Sequence, residues 1–219
     1  MIPLRDVIPS RTTPYITVTI IVLNSIAWLF EVSMPSDFLR EFLAIYGVVP
    51  ADVHPATLIT SMFLHGSWSH VLGNMWYLWI FGDNVEDRLG HGRFIVFYLL
   101  CGIAAAIGQV AMDPTSTLPT IGASGAIAGV LGAYFVLYPR SRVLTLIPLL
   151  IFWEIIELPA IFLLGIWFLL QLVNAGAVAL TASTAGGGGV AFAAHVAGFV
   201  VGLVGVFIFR KREVSAWDY

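Results

Sequence analysis

Five stretches of this chain contain no Asp, Glu, Lys or Arg: residues 12–30, 53–82, 94–112, 114–139 and 158–209. A helix needs about 20 predominantly apolar residues to cross the hydrocarbon core of a bilayer. Each window holds one such span, and the last holds two. A water-facing surface cannot be assembled from such material. Soluble domains carry about 25% charged residues, whereas this chain has 11%, with 59% hydrophobic residues and a mean hydropathy of +0.93. A soluble enzyme, a disordered chain and a nucleic-acid binder are thereby excluded. The chain reads as a polytopic membrane protein. Its net charge of −3 calls for no polyanionic partner. The single cysteine, Cys101, permits no intramolecular disulfide and reads as a buried apolar thiol.

The pattern predicts an all-α fold, a bundle of six transmembrane helices filling residues 14–209. A cytoplasmic N-terminal segment, 1–13, and a cytoplasmic tail, 210–219, are expected to flank it. The first apolar run follows polar and proline-containing residues and lacks a small-residue cleavage site, so it reads as an anchor rather than a signal peptide. Helices are expected at about 14–32, 69–88, 94–112, 124–138, 159–179 and 190–209, the fourth too short to cross the bilayer alone. The loop 33–64 mixes Asp37, Arg40, Glu41 and Asp52 with apolar patches, which suits a segment lying in the membrane interface. Residues 143–157 are apolar but interrupted by Pro148 and bounded by Glu154 and Glu157; a re-entrant or interfacial connection is expected there. No internal repeat is visible.

Six spans divide the basic residues unequally. Arg5, Arg11, Arg88, Arg93, Arg140, Arg142, Arg210, Lys211 and Arg212 fall on one side and Arg40 alone on the other. The positive-inside rule then puts both ends of the chain in the cytoplasm. An odd number of spans would destroy this asymmetry.

Polar groups at depth in such a bundle cost free energy and mark candidate functional residues. Ser124, in Gly122-Ala123-Ser124-Gly125, has small neighbours and opens a helix, so its own backbone N–H lacks an intrahelical acceptor. A nucleophile beside a ready oxyanion donor suits acyl transfer, although helix capping and close packing account for the same motif. His195 is the only titratable group in the window 158–209, and shares a helix face with Gly198 and Gly202. The fourth helix offers a matching small face in Gly125, Gly129 and Gly132, and docking the two faces would bring Ser124 toward His195. A neutral imidazole there could accept a serine proton or merely bridge helices. His70 and Asn74, at i and i+4, could both donate hydrogen bonds to an oxyanion. A metal site is the competing reading of His65 and His70, but the HExxH pattern is absent and only His195 could add a third nitrogen at depth. The carboxylate pair of an intramembrane aspartyl protease is also missing. No cofactor is called for.

With these motifs in this order, the sequence resembles the rhomboid intramembrane serine proteases in their minimal six-helix prokaryotic form. The matching elements are His70-xxx-Asn74, Gly122-x-Ser124-Gly125, Ala194-His195-xx-Gly198-xxx-Gly202 and Val85-Glu86-Asp87-Arg88-Leu89-Gly90. The resemblance covers about residues 33 to 209. It implies Ser124 as nucleophile and His195 as general base of a Ser-His dyad, with His70, Asn74 and the Ser124 N–H as the oxyanion hole. It implies substrates that are transmembrane helices cut near their outer end, a mobile cap at the glycine run 186–189, and a lateral gate on the fifth helix with Trp167 and Phe168. One departure stands out. Some relatives carry a tyrosine four residues after the serine, packed on the histidine; here that position is Ala128, and Tyr134 is too far along the helix to replace it.

The expected partners are therefore transmembrane-helix substrates and the lipid bilayer. The expected location is the plasma membrane, with the site toward the extracytoplasmic face. The sequence leaves the oligomeric state open. The alternative is a non-catalytic rhomboid-like protein that binds transmembrane helices for quality control or trafficking. A transporter or channel would spread polar residues along a pathway, whereas here they gather at one depth.

Overall fold

Apolar segments without water close their own backbone hydrogen bonds, and a helix does so within one segment. The computed structural model describes residues 1–149, 152–181 and 191–211. In chain order its elements are β1 (Ile2–Asp6), α1 (Tyr15–Val32), α2 (Ser36–Tyr46), α3 (Thr57–Thr60), a single 3-10 turn (Ser61–Phe63), α4 (Trp68–Leu89), α5 (His91–Met112), α6 (Ser124–Leu137), β2 (Arg142–Leu149), β3 (Phe152–Pro159), α7 (Ala160–Thr181) and α8 (Phe192–Phe209). Among the described residues four helices, α1, α5, α7 and α8, are long and apolar enough to cross a membrane. Helix α4 is equally long at 22 residues but less apolar, because it carries His70, Asn74, Asp83, Glu86, Asp87 and Arg88. Helix α6 has 14 residues. The fold is thus mostly helical and multi-pass.

Helix α6 is the axis of the molecule. Every residue from Gly125 to Tyr134 is buried, as expected of a helix that is apolar all round. Its glycines let neighbours approach to backbone contact. A Cβ at Gly198 would lie 2.1 Å from the Gly125 carbonyl oxygen, and one at Gly202 would lie 1.9 Å from that of Gly129. These pairings run in the same chain direction, so α6 and α8 are parallel. Helix α5 packs antiparallel against α6, Ala105 meeting Gly125 and Cys101 meeting Gly129. Trp28 meets Trp68 and Thr17 meets Gly82, which makes α1 and α4 antiparallel. Cys101 is a buried free thiol.

The last turn of α4 holds the start of α1. The buried Glu86 carboxylate accepts the Ile16 N–H at 2.9 Å and the Thr17 N–H at 2.8 Å. Asp87 accepts the Arg11 and Thr12 N–H groups at 2.5 and 2.9 Å. Carboxylates at a helix N-terminus satisfy donors that the helix leaves open and oppose its dipole. Gly90, at φ +82°, then turns the chain directly into α5. In the loop 33–64, α2 buries none of its residues in the protein.

The all-α expectation needs correcting. In the stretch expected to be a re-entrant or interfacial connection, residues 143–149 and 152–157 are β-strand, β2 paired antiparallel with β3, and the polar N-terminal segment supplies a third strand, in the order β1-β2-β3. Val143 and Thr145 are fully buried while Arg142 and Leu144 are not, the two-residue period of a strand. Pro148 had argued against regular structure. It is tolerated because β1 pairs only as far as Leu146, which leaves Pro148 beyond the end of that ladder.

Candidate active site

Ser124 is the first residue of α6, and His195 lies within the first turn of α8. The parallel glycine contacts hold these two helix starts at the same level. Ser124 Oγ and His195 Nε2 are 2.8 Å apart, and His195 is only 8% exposed. A hydroxyl at hydrogen-bond distance from an imidazole nitrogen can pass its proton to that ring as it attacks a carbonyl carbon.

His70 and Asn74 lie on the same face of α4. The Ser67 hydroxyl oxygen caps this helix, accepting the His70 N–H at 3.2 Å. The Gly66 N–H donates to His70 Nδ1 over 3.4 Å, which leaves Nε2 as the protonated nitrogen of a neutral ring. That Nε2 lies where a Cβ on Gly122 would be, 2.6 Å away, and the same Cβ would sit 3.7 Å from Ser124 Oγ. Gly122 also has φ +124°, a conformation that L side chains rarely adopt. Glycine is therefore required there twice over. The Asn74 amide, buried, donates to His65 Nε2 at 3.0 Å and keeps a second N–H free of that bond. His65 is itself 1% exposed, its backbone N–H donating to the Glu31 carboxylate of α1.

Ser124, His195, His70 and Asn74 all line one cavity of about 920 Å³, together with Gln109, Ser116, Thr120 and Trp167. The cavity joins the polar loop before α6 to the dyad. Among the described residues no group of three or more His, Cys, Asp or Glu is placed to hold a metal ion.

One residue escaped the sequence reading, and another, named there only for a gate, contacts the imidazole. Gln171 of α7 places its side-chain oxygen Oε1 2.8 Å from His195 Nδ1. Trp167, one turn earlier, lies against the same ring with centroids 5.9 Å apart and planes tilted by 35°. Both contacts to the imidazole come from α7, whereas position 128 on α6 is an alanine. Phe168 stacks on Phe199 of α8 at 4.5 Å, so both aromatics proposed for a gate face inward. Tyr134 is engaged at the other end of α6, its hydroxyl donating to Asp6 at 2.6 Å. Gln171 carries no charge, and its signal in the sequence is an uncharged polar residue four positions after a tryptophan in an apolar helix. The glycine run 186–189 lies outside the described residues.

A family model for the rhomboid domain matches residues 53–212, most of the chain and all of this site. The chain belongs to the rhomboid family. Among its relatives, YdcA of Bacillus subtilis, a rhomboid-named protein, is 33% identical over 127 residues, 57% of this chain and 62% of that protein. The chloroplastic Rhomboid-like protein 11 of Arabidopsis thaliana is 26% identical over 205 residues, covering 89% of this chain and 69% of that one. The Rhomboid protease GluP of Bacillus subtilis is 42% identical over 76 residues, 35% of this chain but only 14% of GluP. The chain thus spans less than two thirds of YdcA and a small part of GluP. As a rhomboid-family protein it is a multi-pass membrane protein whose environment is the lipid bilayer.

Proposed function

We propose that this rhomboid-family chain is an intramembrane serine endopeptidase that hydrolyses peptide bonds in or near transmembrane helices of other membrane proteins. The observation that carries the reading is the 2.8 Å contact between Ser124 Oγ and His195 Nε2 in a cavity shared with two neutral hydrogen-bond donors. In this mechanism His195 takes the hydroxyl proton as Ser124 Oγ attacks the scissile carbonyl. The oxyanion is met by the Ser124 N–H, His70 Nε2–H and Asn74 Nδ2–H. His195 then gives its proton to the leaving amine, and water entering through the cavity hydrolyses the acyl-enzyme by the same route. A bond inside an intact helix is shielded by its own hydrogen bonds, so the substrate must unwind locally before attack. We further propose six crossings, by α1, α4, α5, α6, α7 and α8, in the plasma membrane, with the dyad toward the extracytoplasmic side.

The test is cleavage of a transmembrane-helix substrate in liposomes by wild type, Ser124→Ala and His195→Ala. Wild type is expected to cut, and each variant to lose about 10³-fold or more in rate. Wild type alone should also react with a fluorophosphonate at Ser124. If wild type neither cuts nor labels, the chain is a binding protein rather than a protease.

A further inference from the structure

Helix α7 is the least buried of the four clear spans, with 17% of its window inside the protein against 28% to 39% for the others. Its inward stripe, at helical spacing, is Ala160, Leu164, Trp167, Gln171 and Ala175. Gln171 is the polar member of that stripe. The neighbouring amide, Asn174, is exposed and spends its Nδ2–H on its own helix, at the Leu170 carbonyl. Gln171 instead reaches across to α8 and meets His195 Nδ1.

A neutral imidazole has one N–H and one lone pair, so what binds Nδ1 decides what Nε2 can do. The Gln171 contact is made by Oε1, an atom that only accepts. The proton therefore sits on Nδ1, and Nε2 turns its lone pair toward Ser124 Oγ. A donor in the same place would hold the proton on Nε2 and leave the ring unable to act as base toward Ser124. We propose that Gln171 is a positioning residue: its side-chain carbonyl accepts the His195 Nδ1–H and, with Trp167 against the ring, fixes the tautomer and orientation in which Nε2 faces Ser124. This inference rests on the protease reading for its kinetic consequence but not for its structural one.

The experiment uses the full chain in detergent with 15N-labelled histidine, as wild type, Gln171→Leu and Gln171→Glu. The glutamate variant keeps an acceptor oxygen whether or not it is ionised, and the leucine variant fills the space without one. The His195 nitrogen signals are expected to show protonated Nδ1 in wild type and Gln171→Glu, and a loss of that preference in Gln171→Leu. With a transmembrane substrate, Gln171→Leu should lower kcat by about 10- to 100-fold with little change in KM, while Gln171→Glu restores most of the rate. An unchanged tautomer in Gln171→Leu, or equal losses in both variants, would overturn the proposal. If wild type proves inactive the protease reading fails by itself, and the nitrogen signals still decide whether Gln171 holds the ring. Thermal unfolding of each variant separates these outcomes from loss of fold, in which case Gln171→Asn, a shorter acceptor, replaces the leucine variant and is expected to weaken the Nδ1–H preference.

Discussion

Hydrogen bonds settle the roles of the polar side chains that α4 brings to the cavity, although the buried His65 behind them keeps an Nδ1 unpartnered among the described residues. Gly66 fixes His70 with Nε2 protonated, and His65 holds the Asn74 amide. Both α4 side chains thus present donors without carrying charge, which keeps their burial cheap. If they meet an oxyanion, Asn74→Ala and His70→Ala should each lower kcat by about 10²- to 10³-fold with a smaller change in KM. Steady-state kinetics on a transmembrane substrate would check this, and a loss confined to KM would assign them to substrate binding instead. Ser124 and His195 were legible in the sequence because each interrupts a charge-free window beside glycines. Gln171 was not. In one dimension it is indistinguishable from Asn174, and only the tertiary contact shows that one amide serves its own helix and the other a ring on α8.

Between residue and molecule stand the elements that carry the groups to their places. The dyad distance depends on the approach of α8 to α6, set by Gly198 and Gly202 below His195. Gly202→Ala would put a methyl group 1.9 Å from the Gly129 carbonyl oxygen, so the helices must separate. A displacement of about 1 Å far from the chemistry can cost about 10²-fold in rate, and Gly202→Ala is expected to lose activity on that scale although it lies two turns from His195. Gly176→Ala, where no atom lies within 4 Å of the new methyl, should be neutral in the same assay. The glycine faces were readable from spacing, as was the position of each long helix within a few residues. The sheet was not, because β1 is a short strand in a polar segment and its partner lies beyond residue 140. That sheet brings a titratable group to α6. Burial, opposed by the Tyr134 hydroxyl and reinforced by Asp83, pushes the Asp6 carboxyl up from 3.8 to about 6. The folded state then binds a proton more tightly than the unfolded state, so Asp6 penalises folding increasingly as pH rises from about 4 to about 6. Asp6→Asn should therefore unfold at a higher temperature than wild type at pH 7.5 and show no such gain at pH 3.5. Melting curves in detergent at the two pH values check the sign.

At the scale of the molecule, depth follows from the shortness of α6. Fourteen residues rise about 20 Å, some two thirds of a hydrocarbon core of about 30 Å. If Leu137 ends near one interface, Ser124 begins roughly 10 Å short of the other, and the loop 113–123 descends to meet it. A longer helix would lift the serine to the membrane surface. The antiparallel pairs and the parallel α6–α8 contact put this loop at one end of the bundle and the turn at Gly90, with Arg88 and Arg93, at the other. Charge asymmetry predicts that the Arg-rich end faces the cytoplasm. Thr117 and Gly92 are exposed at the two ends, and a Gly92 side chain would meet no atom within 4 Å. In a Cys101→Ser background, Thr117→Cys should react with a membrane-impermeant maleimide added to intact cells, and Gly92→Cys only after permeabilisation. Ser124→Cys should then be reached from outside by a small thiol reagent but not by a bulky one. The reverse pattern at Thr117 and Gly92 would invert the orientation and place the cavity on the cytoplasmic side. Labelling of both positions from outside would break the even-span topology on which the assignment of the basic residues depends.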